Sequence, residues 1–443
     1  MSPLLAELGS IDPSQGRPNG NRPNIVLTRD RKFFLDTCEA GVGRKNLIPL
    51  HSWIKTMNKT TALLTLVLLA TGVHASKFTT LGNDQGIDPY FDYITEVMSN
   101  VSGGDHTGTG YNGLVSLGLD ADLGQILGWE GTSIRVSGLK LHGSGIANRV
   151  GDLMGVSNIE GYGSIRLYES WIEKSFANPS LGVRAGLLLA DEEFCTIDLA
   201  GPFFNSTFGW PEFISMNVKN SGPAFYIPAL GIRFLWEPNE SLYSQVAIFD
   251  GDTFDSPEGD DTVNPHGLHW ELGNGQGAMM IGEIGYSVNE NLPGIYKLGA
   301  WYHSAKFPDL SGGADHSGNQ GLYISGEQMV YSDRRDQGLS LFARTGFARQ
   351  DRSEISHSFQ IGLNYTGLIP NRDSDALALG LSHAKVSDDL PEHTAETVIE
   401  IAYEFIWNDE FILQPSVQRL SDPGATGKLE DALVLGFRAN FSF

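Results

Sequence analysis

Ala432-Leu-Val-Leu-Gly-Phe-Arg-Ala-Asn-Phe-Ser-Phe443 closes the chain, and its alternation carries most of the information about architecture. Leu433, Leu435, Phe437, Ala439, Phe441 and Phe443 fall on one face of a strand, and Val434, Gly436, Arg438, Asn440 and Ser442 on the other. A period of two with apolar residues on one side and small or polar ones on the other suits a strand between lipid and an aqueous interior. An edge strand of a soluble sandwich has the same period. The membrane reading prevails because the pattern recurs back to about residue 111.

Val115, Leu117, Leu119, Ala121 and Leu123 alternate with Ser116, Gly118, Asp120 and Asp122. Leu230, Ile232, Phe234 and Trp236 oppose Gly231, Arg233 and Glu237, and Ile399, Ile401, Tyr403 and Phe405 oppose Glu400, Ala402 and Glu404. About fifteen such segments are predicted: 111–123, 132–142, 163–173, 181–190, 229–237, 241–250, 278–287, 295–304, 320–331, 338–348, 356–366, 375–385, 396–407, 410–420 and 432–443. Single-chain bacterial barrels have an even strand number, so one more is expected, between 143 and 162 or between 192 and 220. The fold class is therefore all-β, a transmembrane antiparallel β-barrel of about sixteen strands, large enough for a water-filled lumen. Pro238-Asn-Glu240 and Trp407-Asn-Asp-Glu410 read as tight periplasmic turns. The stretches 192–228, 251–277 and 304–319 read as long loops, outside or folded inward.

The N-terminal part divides differently. Met57 to Ala75 has the form of a secretory signal, with Lys59 before the apolar run Ala62–Ala70 and Val73-His74-Ala75 as the cleavage site, which sets the mature start at Ser76. Residues 1–56 are expected to be a disordered extension foreign to the exported protein. Residues 76–110 are expected to form a periplasmic segment with a short helix over Asp88–Met98, and 111–443 the barrel. The formal net charge is −23, and residues 1–75 contribute nine basic against five acidic side chains. So acidic a chain is a poor partner for nucleic acid. Cys38 and Cys195 are the only cysteines, and with Cys38 removed no disulfide can form within the chain.

With the strands placed, further blocks resemble one family. Phe203-Phe-Asn-Ser-Thr-Phe-Gly-Trp-Pro211, Gly222-Pro-Ala-Phe-Tyr226, Gly231-Ile-Arg-Phe234, Gln245-Val-Ala-Ile-Phe-Asp-Gly-Asp252 and Leu292-Pro-Gly-Ile-Tyr-Lys-Leu-Gly-Ala-Trp-Tyr-His303 are similar to segments of the carbohydrate-selective porins (OprB type). Gly338–Arg344, Thr397–Glu400 and Leu413–Gln418 resemble further strands of that family. The family's Gly-Asp-Trp-Gly-Gly-x-Arg near the mature N-terminus is absent. The resemblance implies an outer-membrane channel for passive passage of glucose-like sugars, with small sugars, outer-membrane lipid and lipopolysaccharide, and the barrel assembly machinery (through Phe443) as partners, and a homotrimer as one assembly. A general, weakly cation-selective diffusion porin without a sugar site is the alternative.

Sugar hydroxyls need donors and acceptors, and an aromatic face suits the apolar side of the ring. The inward candidates are Arg135, Glu169 and Arg184, with Asp191, Glu193 and Trp210 in or beside the loop expected to narrow the pore. For each taken singly, mere solvation of the lumen is the simpler role; together they suggest a constriction. Asp250-Gly-Asp-Thr-Phe-Asp255 with Glu258, Asp260 and Asp261 has the look of a calcium loop, yet lacks the glycine and bidentate glutamate of an EF-hand. His266-x-x-His269 has no third ligand at diagnostic spacing. No cofactor, metal or catalytic residue is expected. An enzyme on a barrel, such as an outer-membrane phospholipase, needs a Ser/His pair with an orienting group, and nothing marks one.

Overall fold

The computed structural model describes residues 86–443 except 178–179, 257–258, 261, 274, 289–291 and 335–336. The extension and the signal sequence lie outside the described residues, as do Glu258 and Asp261 of the acidic loop.

Sixteen antiparallel strands close on themselves in chain order. They are β1 (Ile87–Gly104), β2 (Gly108–Asp122), β3 (Thr132–Gly143), β4 (Ile165–Ala177), β5 (Ser180–Leu188), β6 (Ala229–Asn239), β7 (Leu242–Asp250) and β8 (Ala278–Val288). The wall continues through β9 (Gly294–Phe307), β10 (His316–Arg334), β11 (Gln337–Ala348), β12 (Ile355–Thr366), β13 (Ala376–Val386), β14 (Ala395–Asn408), β15 (Phe411–Ser421) and β16 (Glu430–Ser442). All fifteen expected segments are strands. Leu435 and Phe437 are exposed on the outer face of β16, while Val434 and Arg438 are buried inside. Exposed aromatics, among them Trp236, Tyr286, Tyr296, Tyr331 and Trp407, gather at the end with the short turns, as an interfacial girdle does. That end is periplasmic and the long-loop end extracellular.

The sixteenth strand is β1, so the barrel begins at Ile87, not near 111, and the helix expected over Asp88–Met98 does not form. The reason is packing. Val97 and Val101 face outward, but Ile94 and Met98 point inward against loops that fill the lumen. Apolar residues at 94, 97, 98 and 101 imitate helical spacing although the backbone is extended. Closure joins β1 to β16, with Glu96 opposite Arg438. Arg438 Nε and Nη2 donate to Glu96 Oε2 at 3.0 and 2.7 Å. At the periplasmic end of this seam Phe91 and Phe443 exchange both backbone hydrogen bonds, at 2.9 and 2.8 Å.

The two regions suggested for the missing strand are instead inserted loops. Residues 144–164 and 189–228 run inside the barrel and are apolar because they pack on its inner wall. Inward carboxylates hold their backbone. Glu400 accepts from Phe204 N and Asn205 N (2.8 and 3.0 Å), Glu327 from Asp198 N and Leu199 N (3.2 and 3.0 Å), and Glu396 from Leu153 N and Met154 N (2.7 and 3.0 Å). Arg344 does the reverse: its guanidinium donates to the carbonyls of Cys195, Thr207, Phe208 and Gly209. Loop aromatics seat on wall glycines. A Cβ on Gly346 would lie 2.3 Å from the Phe213 ring, and one on Gly380 2.6 Å from Phe208.

Candidate functional site

The inserted loops pack on the inner wall around much of its circumference, and on the inner face of β2 to β6 charged side chains line up in the periplasmic half. A bulge positions the first of them. Between Val136 and Gly138 the β3–β4 register shifts, so that Tyr168 and Glu169 together oppose Ser137. Both side chains then turn inward, and both are buried. Ser137 Oγ fixes the bulge by accepting from Glu169 N at 3.0 Å.

Asp120 on β2 faces Arg135 on β3, which in turn faces Trp171 on β4. Arg135 Nε and Nη2 make a two-pronged contact to Asp120 (2.6 and 2.9 Å), and Nη1 reaches Glu169 Oε2 at 3.2 Å. Trp171 Nε1 donates to Glu169 Oε1 at 3.0 Å. The indole is flanked by two guanidinium groups, Arg184 at 4.1 Å and Arg135 at 5.5 Å from the ring centroid, in cation–π range. Farther along the wall Arg184 opposes Glu173 on one side and Arg233 on the other. Arg184 bonds Glu173 and Glu193, and Arg233 bonds the same two carboxylates. The result is a lattice of three arginines and four carboxylates across five strands, with Glu193 descending from the inserted loop.

Pairing removes most of the net charge and fixes each side chain. It does not exhaust the donors. Arg184 uses Nε and Nη1, and its Nη2 has no protein partner among the described residues. Arg184 and Arg135 keep about a fifth of their side-chain surface exposed, whereas Arg233 is nearly covered. Asp120, Arg135, Trp171 and Arg184 are the members of the lattice that keep the most accessible side-chain surface.

Of the six residues selected from sequence, Arg135, Glu169, Arg184 and Glu193 come together here. Asp191 and Trp210 do not. Asp191 is buried, accepts from Phe225 N at 2.8 Å, and has its carboxyl held well above the usual range by burial. Trp210 is wholly buried, packs with Phe213 and Tyr323, and donates to Ser221 O at 2.9 Å. Both fold the loop and offer no face to a solute. Asp120, Trp171, Glu173 and Arg233 were missed as site residues. Alternation already places Asp120 and Arg233 inward, and Trp171 and Glu173, two and four residues beyond Glu169, share its inward face; which of these inward groups meet depends on strand register.

The acidic loop is a set of turns. Asp252 Oδ1 accepts from Asn220 Nδ2 and Phe254 N, and Asp255 accepts from Glu271 N and Gln276 Nε2 while pairing with His269. His266 contacts Ile165 O and does not converge with His269.

Glu212, in the short helix Glu212–Ser215 of the inserted loop, is fully buried, which pushes its carboxyl up to about 7. Unfolded, it titrates near ~4.3. The folded state thus holds the proton more tightly between these values, and stability falls as pH rises from about 4.5 through about 7. Glu212→Gln is expected to flatten that slope and to exceed wild type in thermal midpoint at pH 8, which a pH series of unfolding scans measures.

Residues 106–443 match the model of the family described as "Carbohydrate-selective porin, OprB family". Among curated proteins the chain is similar to Porin B of Pseudomonas aeruginosa, 25% identical over 422 residues, covering 81% of this chain and 88% of that protein. It is also similar to the putative porin QuiX of Acinetobacter baylyi, 23% identical, with 79% and 88% covered. Among solved structures, the high-pH structure of Pseudomonas putida OprB superposes with a TM-score of 0.72 at 24% identity, covering 81% of this chain and 95% of that one.

Proposed function

The chain belongs to the OprB family of carbohydrate-selective porins, and on that premise we propose that the lattice around Trp171 is the constriction where sugar is selected. The protein is a sugar-selective porin of the bacterial outer membrane. The observation that carries the site assignment is the indole flanked by Arg184 and Arg135, each guanidinium itself fixed by carboxylates. A hexose of the glucose type lays the C–H face of its ring on Trp171, while vicinal hydroxyls take up Arg184 Nη2 and the free lone pairs of Asp120 and Glu173. Because the charges are nearly balanced, the eyelet attracts a neutral polyol without trapping an ion. A pore has to release what it binds, so the contacts sum to only ~4 kcal/mol, a millimolar affinity. Passage is passive and involves no catalysis. Planar-bilayer conductance with added glucose tests this reading: a general diffusion pore gives current that glucose at low concentration leaves unaltered.

Partners beyond sugar follow from the wall. Outer-membrane lipid and lipopolysaccharide surround it, a homotrimer is one assembly it permits, and the assembly machinery reads the terminal strand through Phe443. Deleting Phe443 removes the reciprocal backbone pair with Phe91 at the seam. Synthesis is expected to continue while the heat-resistant folded form in the outer membrane drops several-fold on semi-native gels; unimpaired insertion argues against a role for this residue in assembly.

A further inference from the structure

β5 leaves the wall early. It pairs with β4 only from Ser170 to Ala177, because after Leu188 the chain turns into the lumen. The upper edge of β4, from Ile165 to Glu169, would be bare. Part of the β7–β8 loop covers it from outside: Leu167 N donates to His266 O at 2.9 Å, and His266 Nδ1 contacts Ile165 O at 2.8 Å. Buried Arg166 pins this strap from within, its Nη2 donating to Asn264 O and Pro265 O at 3.3 Å. The strap stands proud of the wall and creates an open groove of about 580 Å³ between itself and β2–β3. Leu117, Val136, Ile165, Leu167 and Leu268 line it. Gly138 is its floor: a Cβ there meets only Arg166 O, at 3.6 Å.

All of these face the lipid side. The next outward position on β3 above Gly138 is Lys140, exposed and directly across the ladder from Ile165. It has no ion-pair partner among the described residues. Among other outward cations near the extracellular rim, Lys385 pairs with Asp388 and Arg419 with Asp431, whereas Lys306 at the end of β9 also lacks an ion pair among the described residues but lies away from this groove. An unmatched cation on the lipid face is costly unless it reaches the interface or an anion. Acyl chains have no preference for protein over other chains, so a specific lipid is selected by its headgroup charge.

We propose that this groove is a binding site for a phosphorylated lipid of the outer leaflet, one acyl chain lying over Gly138 and the phosphate on Lys140. The site rests on the outer-membrane location and is independent of the sugar constriction on the opposite face of the wall. It also explains why the strap keeps Leu268, Trp270 and Leu272 exposed: they meet the same leaflet.

Native mass spectrometry of the detergent-extracted barrel, titrated with bisphosphorylated lipid A and in parallel with phosphatidylcholine, tests it. One lipid A per barrel should be retained at least tenfold more tightly than phosphatidylcholine. Lys140→Gln removes the charge and Gly138→Leu fills the floor; each should weaken lipid A at least tenfold. Lys306→Gln, an outward cation on distant β9, should not. Heat-modifiable migration establishes that each variant is folded, and the two groove variants act through unrelated atoms. Equal retention of both lipids, undiminished retention in both groove variants, or barrels crosslinking to one another through this face in place of lipid overturns the proposal.

Discussion

In planar bilayers, millimolar glucose is expected to reduce the ion current of the wild-type channel, and Arg184→Ala is expected to abolish that block while raising open-channel conductance. Arg184 supplies the free Nη2 donor, covers Trp171 at 4.1 Å, and tethers Glu173 to Glu193. Each hydrogen bond from a charged donor contributes ~1.5–3 kcal/mol. Losing one from a total of ~4 kcal/mol moves the affinity at least tenfold, beyond the millimolar range. Conductance is expected to rise because a large side chain leaves the proposed constriction and Glu193 loses one of its two cations. Trp171→Ala should remove the block as completely but change ion current less, since the lattice of charges survives. Arg135→Ala is expected to weaken block without abolishing it, Arg135 lying farther from the indole. Undiminished glucose block in the Arg184 and Trp171 variants together locates the sugar site elsewhere in the lumen.

Arg344→Ala is the substitution expected to perturb the channel most. The guanidinium is almost wholly buried and donates to four loop carbonyls and to Gln360 Oε1. Its removal leaves several buried acceptors without a donor, each worth ~1–3 kcal/mol before water enters. A loss of about 3–5 kcal/mol from the docking of the 189–228 loop is expected. The barrel itself, closed by its ladders, should still assemble. Three readouts should move together: larger and noisier single-channel conductance, loss of glucose discrimination, and cleavage of the loop by added protease. Arg344→Lys restores the charge but has only three donors for five acceptors, so rescue should be partial. An unaltered conductance in the alanine variant would mean that the carboxylate contacts of Glu327 and Glu400, with that of Glu283 Oε2 accepting from Cys195 N at 2.8 Å, suffice to hold the loop.

The wall was legible in the chain and the interior was not, and the contrast follows from the two solvents. Lipid imposes the same demand on every outward residue, so Leu433, Leu435 and Phe437 report their position without reference to any neighbour. β1 escaped because Ile94 and Met98 face apolar loop segments, which erases the polar half of the alternation. Arg135, Glu169 and Arg184 were found by parity and by family resemblance, and Glu193 by its place after β5. Trp210 was misplaced: an aromatic residue in a long loop reads the same whether it lines a pore or anchors a fold. Trp171 shares the parity of Glu169, but its place between Arg135 and Arg184 depends on the register of three strands, which exists only in the paired sheet.

Periodicity thus yields fifteen strands of a membrane barrel with inward charged side chains, each a local response to a uniform surrounding, and the even strand number of single-chain barrels requires the sixteenth, which only the structure locates. Which charges meet, which loop fills the lumen and where a solute can pass depend on partners far apart in the chain, as Arg344 is from Thr207, Glu400 from Phe204 and Glu96 from Arg438. Those choices arise only when the sheet closes, since closure joins the first and last strands and presents one continuous inner wall for the loops to pack against.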